Sequence, residues 1–109
     1  MLRKARIAVL VSGGGTNLQA LLDAQKEGKL LHGEIVLVIA SKPGVYALER
    51  ARIANVDAAV VSRKEKGSQA AFEEGISDLL SRYEIDLVIL AGFLSILSKD
   101  FTNRWPERI

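Results

Sequence analysis

Between Val11 and Leu18 the chain carries Ser12-Gly13-Gly14-Gly15-Thr16-Asn17, three consecutive glycines flanked by hydroxyl and carboxamide side chains. An apolar run precedes this stretch and a helical pattern follows it, so backbone amides are left open where a strand turns into a helix. Those amides meet the positive end of the helix dipole, and Thr16 and Asn17 add side-chain donors. The chemistry this suggests is the holding of an anion, a phosphate above all. The same residues would also serve a tight strand-to-helix turn that binds nothing. Position favours the binding role, because ligands of open parallel sheets sit beyond the carboxyl ends of the strands.

Several phosphate ligands can be weighed from the flanking residues. Glycines at 13 and 15 begin a dinucleotide pattern, but Leu18 stands where the third glycine belongs. The second apolar run ends in Ser41-Lys42, with no acid for a ribose hydroxyl, which disfavours NAD and leaves NADP, whose extra phosphate a lysine could accept. No lysine follows the glycines, which excludes a P-loop ATPase.

A second constellation is Leu90-Ala91-Gly92-Phe93-Leu94-Ser95-Ile96-Leu97, where apolar residues continue past the expected end of a strand. On the same sheet edge as the glycines it could form a flat apolar slot for a heterocycle. Equally, Phe93, Ile96 and Leu97 could simply seal the base of a neighbouring helix. No cysteine is present and there is one histidine, which excludes a disulfide framework and argues against a zinc site; no metal is expected. His32 precedes the second strand, at the far end of the sheet from the glycines, and is expected to be a surface residue. Asp57 and Asp86 precede strands at that same end and are expected in turns.

The elements that must position these residues follow from the apolar pattern. Ile7 to Val11, Ile35 to Ala40 and Leu87 to Ala91 are apolar without alternation, as parallel strands covered on both faces are; Ala58 to Val61 is a weaker fourth. Leu18, Leu21 and Leu22 mark one helical stripe, and Phe72, Ile76, Leu79, Leu80 and Tyr83 a longer one. Tyr46 to Ala54 is helical in composition. The alternation β-α-β-α-β-α-β predicts an α/β fold, an open parallel Rossmann-like sheet of about four strands with flanking helices, in a single domain over 1–109. Thr16 and Gln19 form a capping-box pattern for the first helix, Gly28 is placed to end it, Asn55 to close the second, and Ser68 to cap the third.

Composition bounds the rest. At 109 residues and 49% hydrophobic content the chain can bury a core, which argues against disorder. A formal charge of +2 is too small to steer a nucleic acid, and no segment is long and apolar enough for a membrane span. The basic start before Ile7 to Val11 lacks the apolar length of a signal peptide, and the absence of cysteine fits a reducing, cytoplasmic setting.

Taken together, Ile7 to Ala20 and Val88 to Leu97, with Ala40-Ser41-Lys42, Leu48-Glu49-Arg50-Ala51 and Tyr83-Glu84-Ile85-Asp86-Leu87 in order and spacing, resemble the phosphoribosylglycinamide formyltransferases across the whole chain. Formyltetrahydrofolate deformylases and methionyl-tRNA formyltransferases are a weaker match. The resemblance implies that the glycine loop, Gly13 and Gly14 with Gly15, Thr16 and Asn17, grips the phosphate of glycinamide ribonucleotide. It implies that Leu94, Ser95, Ile96 and Leu97 line the pterin pocket of 10-formyltetrahydrofolate, the formyl donor. Many members carry an arginine where Ser95 stands, and a folate-contacting arginine where Gln69 aligns.

Members of that family continue beyond the stretch equivalent to Pro106-Glu107-Arg108-Ile109 into a segment bearing a catalytic asparagine and histidine, and later an aspartate. The resemblance therefore implies a binding half without the catalyst, inactive alone, with a non-catalytic nucleotide-phosphate or NADP module as the alternative. In such a half the Leu87 to Ala91 strand would be an outer strand with the composition of an inner one, so the expectation is either self-association through that edge or a further piece that covers it.

Overall fold

The computed structural model describes residues 4–95, 97–105 and 109. Four strands, β1 (Ala5–Val11), β2 (Gly33–Ala40), β3 (Asp57–Val60) and β4 (Leu87–Leu90), alternate with helices α1 (Thr16–Lys26), α2 (Tyr46–Ile53), α3 (Arg63–Lys66), α4 (Gln69–Arg82) and α5 (Lys99–Arg104). The sheet has the order β3-β2-β1-β4 and every pairing is parallel. All the loops that follow strands therefore open on one edge, where the glycine loop and residues 91–95 meet. Among the described residues no helix is long and apolar enough to cross a membrane.

Alternation along the strands sends neighbouring side chains to opposite faces. Ile7, Val9 and Val11 of β1 join Leu18, Leu22, Ala47 and Ala51 of α1 and α2 in one core. Ala8 and Leu10 join Phe72, Ile76 and Leu80 of α4 and Phe101 of α5 in the other. Both faces of the two central strands are thus covered, which is why their sequences are continuously apolar. In β2 the pairing steps from Ile7↔Ile35 to Ala8↔Leu37, so Val36 is an extra residue in the ladder. That bulge keeps Ile35 in the first core and Leu37 in the second. The Ile35 amide donates to Gln25 Oε1 of α1 at 2.6 Å.

Chain punctuation follows the sequence with one correction. Gly28 is left-handed after α1, and Lys29 N–H returns to the Ala24 carbonyl while Gly28 N–H bonds that of Gln25. Asn55, at φ 60°, closes α2 in the same way, and Ser68 Oγ accepts from Ala71 N–H at the start of α4. The capping box at Thr16 does not form. Gly15 takes the cap position in the left-handed region, no side chain caps the helix, and Gln19 bonds Asp23 and Arg50. With no Cβ, Gly15 enters the helix by a backbone path that moves Thr16 into the first turn.

Candidate functional site

Three turns meet at the carboxyl edge. Ser12 N–H donates to the Gly92 carbonyl at 3.2 Å, and Ser41 N–H to that of Val11 at 2.9 Å, extending the ladder past the strand ends. The buried hydroxyls of Ser12 and Ser41 lie 2.8 Å apart, and Leu94 N–H donates to Ser12 Oγ at 2.8 Å. The ends of β1 and β2 and the segment after β4 are therefore joined through one hydroxyl pair.

Beyond Ser12 the loop is exposed at Gly13, Gly14, Thr16 and Asn17. Among the described residues, no carbonyl receives a hydrogen bond from the amides of Gly13, Gly14, Gly15, Thr16 or Asn17; the first intrahelical bond runs from Gln19 N–H to Gly15 O at 2.8 Å. Nor does either the Thr16 hydroxyl or the Asn17 carboxamide bond another described group. The first turn of α1 contains no acidic side chain, so nothing within it balances the positive end of the helix. This is a collection of unused donors with a net positive potential, suited to an anion.

The three glycines have different reasons to be glycine. Gly15 has φ 83°, and a Cβ there would lie 2.8 Å from Ala47 Cβ and 3.1 Å from Ala47 Cα, so it is required by backbone conformation and by the approach of α2. Gly13 and Gly14 lie outside the left-handed region, and a Cβ on either would meet nothing within 4 Å. The fold alone has no use for them, although a glycine gives up more chain entropy than an alanine, typically by about 0.5–1 kcal/mol. What they leave is bare backbone at the mouth of the helix.

Arg50 of α2 stands beside this loop. Its Nε donates to the Gly14 carbonyl at 2.7 Å and its Nη1 to Gln19 Oε1 at 3.2 Å, while its guanidinium lies 4.8 Å from the centre of the Tyr46 ring. No local signal marks Arg50 as part of the loop, since its partners are 36 and 31 positions away. The signal the sequence does carry is the motif Leu48-Glu49-Arg50-Ala51 within a segment of helical composition.

The segment after β4 divides between the two roles open to it. Phe93 and Leu97 pack against the core beneath α4 and α5, as a seal would. Leu94 is 80% exposed, and Ser95 lines an open cleft of about 620 Å³ with Ser41, Lys42, Pro43, Ser62, Arg63 and Lys64. Ile96 lies outside the described residues. Gln69 is half-buried and engaged by its neighbours: its Nε2 donates to Glu73 Oε2 at 2.9 Å and its Oε1 accepts from Arg63 Nε at 3.2 Å. Glu73 is buried and also accepts from the amide and hydroxyl of Ser98, each at 2.6 Å. Burial pushes its carboxyl up, but the Ser98 and Gln69 bonds and the charge of Arg104 outweigh this and leave it below its ordinary range.

At the opposite edge, His32 is exposed and its carbonyl accepts from Ala5 N–H. Asp86 accepts from Arg6 N–H at 2.8 Å, and Asp57, the first residue of β3, accepts from the Tyr83 hydroxyl at 2.9 Å. These groups tie elements together and lie far from the glycine loop.

Comparison with known proteins gives consistent results. The sequence pattern of the formyl transferase family matches residues 5–109. The trifunctional purine biosynthetic protein adenosine-3 of Bos taurus is 43% identical over 107 residues, covering 98% of this chain and 10% of that protein. The phosphoribosylglycinamide formyltransferase of Haemophilus influenzae is 39% identical over 104 residues, covering 95% of this chain and 49% of that enzyme. Among solved structures, glycinamide ribonucleotide transformylase 1 from Symbiobacterium toebii superposes with a TM-score of 0.90 at 40% identity, covering 97% of this chain and 50% of its own. The chain thus spans about half the length of these single-function relatives, and a tenth of the trifunctional one.

Proposed function

Because the chain belongs to the formyl transferase family, we propose that it provides the phosphate-binding part of a phosphoribosylglycinamide formyltransferase, which moves a formyl group from 10-formyltetrahydrofolate to glycinamide ribonucleotide in purine synthesis. The observation that carries this reading is the pair Gly13 and Gly14, glycines the fold does not need, beside unused amides at the uncapped start of α1. A phosphate there would accept from the loop amides and from Thr16 and Asn17, and the dipole of α1 would favour its charge.

The folate supplies the formyl carbon. Ser95, next in the chain to the exposed Leu94, lines a cleft rimmed by Lys42, Arg63 and Lys64, whose charges suit the carboxylates such a donor carries. With Gln69 held by Glu73 and Arg63, these cations supply charge where Gln69 and Ser95 supply none. The chain's own groups bind and orient. Attack of an amine on a formyl carbonyl also needs a group to move protons, and the single histidine, His32, sits at the other end of the sheet.

Titration followed by amide resonances tests the assignment. Glycinamide ribonucleotide, and not its dephosphorylated riboside, should shift Gly13 to Asn17. Resonances there that ignore the ribonucleotide would refute it. A second reading, a non-catalytic NADP module, draws on the same three cations, which also suit a ribose phosphate. It requires 2′,5′-ADP to bind at Lys42 and Arg63 more tightly than 5′-AMP.

A further inference from the structure

We infer that Arg50 is a positioning residue for the anion site, locking the Gly14–Gly15 peptide so that its amide, and not its carbonyl, is available to the bound anion. The inference rests on the phosphate role proposed for the glycine loop and assigns a part to a side chain outside it.

The reasoning starts from the planarity of the peptide. In a trans unit the carbonyl and the following N–H point in opposite directions, so fixing one fixes the other. The Gly14–Gly15 peptide is trans, and Arg50 Nε holds its carbonyl at 2.7 Å. The Gly15 N–H is thereby turned away from α2. Without that bond, little would oppose rotation of this peptide: Gly14 has no side chain, and a Cβ there would touch nothing. A rotated peptide would present a carbonyl oxygen to the anion, replacing attraction with repulsion. A charged donor is the effective kind of latch, because hydrogen bonds from guanidinium are stronger than neutral ones.

Arg50 is itself held by two further contacts: Nη1 donates to Gln19 Oε1 of α1, and the guanidinium lies over the Tyr46 ring. The side chain therefore bridges α2, the loop and α1. Its charge adds to that of the helix end, and Gln19, an apparent capping residue in the sequence, instead braces the arginine.

The test compares wild type, Arg50→Met, which keeps the alkyl stem and removes both donors, and Arg50→Lys, which keeps the charge and loses the fork. Inorganic phosphate is the probe, read by the Gly13 to Asn17 amide shifts and by the rise in thermal midpoint it produces. A role in stability alone would lower the midpoint with and without phosphate and leave that rise unchanged. The expected result is phosphate affinity weakened about tenfold in Arg50→Met, with Arg50→Lys intermediate. Should Arg50→Met fail to fold, Gln19→Ala loosens the same latch and is expected to weaken phosphate about threefold. Wild-type affinity in the folded variant overturns the inference while the phosphate site stands; a wild-type protein whose loop amides ignore phosphate overturns both.

Discussion

Replacing Gly15 by alanine separates what the fold needs from what a ligand needs. The left-handed backbone at φ 83° costs an alanine about 1–2 kcal/mol. Its Cβ would also lie 2.8 Å from Ala47 Cβ and 3.1 Å from Ala47 Cα, and the second contact is with the backbone of α2, which cannot rotate away. Moving that helix adds about 1–3 kcal/mol. The stiffer unfolded chain returns about 0.4–1 kcal/mol. The net loss is about 3 kcal/mol, a large part of the roughly 5–15 kcal/mol that holds a domain of this size. Urea denaturation should show the midpoint falling by about 1.5–2 M with the slope unchanged. Gly13→Ala and Gly14→Ala, whose new methyl groups meet nothing, should keep the wild-type midpoint or exceed it slightly while weakening phosphate binding. A Gly15→Ala protein as stable as wild type, or a Gly13→Ala protein equally damaged, would refute this division of roles.

Other expectations follow from the same geometry. Ser12→Ala strips a buried partner from Leu94 N–H and from Ser41 Oγ and should cost about 1–3 kcal/mol, and adding Ser41→Ala should cost less than the two single changes summed, as chemical denaturation of all three variants would reveal. Because the folded Glu73 carboxyl titrates below its ordinary 4.5, its stabilisation is present above that pH and is lost as pH falls through the depressed folded value. Glu73→Gln should therefore flatten the loss of stability below pH 4.5, and a slope identical to wild type would contradict this. The exposed edge of β4, with Leu90 45% accessible, should make the chain associate as concentration rises, and Leu90→Lys should suppress it. Sedimentation showing a monomer at every concentration would remove that expectation.

The sheet was legible because β1 and β2 are covered on both faces, and that burial writes itself as unbroken apolar runs. β3 was faint for the converse reason: it is an outer strand of four residues, mostly exposed, with little packing to record. The short helices α3 and α5 left only their serine caps, Ser62 and Ser98, as signals, too little to separate a helix from a turn. At Thr16 the local pattern misled, because a left-handed glycine starts a helix without any side chain. The glycine loop stood out since its chemistry is contiguous in the chain. Arg50 and the Ser12–Ser41 pair did not, because each depends on parts of the chain that only folding brings together. The apolar segment after β4 could not be divided from sequence, since Phe93 and Leu94 differ in surroundings and not in type.

The Ser12–Ser41 pair can be read in either sense. Leu94 N–H gives its proton to Ser12 Oγ, while between the two hydroxyls either can be the donor, and Ser41 also lines the cleft. An acceptor in the cleft selects the sense in which Ser12 donates to Ser41 and Ser41 donates outward, and such a row strengthens from end to end. A molecule resting in the cleft would thus tighten the tether on Leu94 from a distance, so that filling one pocket firms the wall of the next.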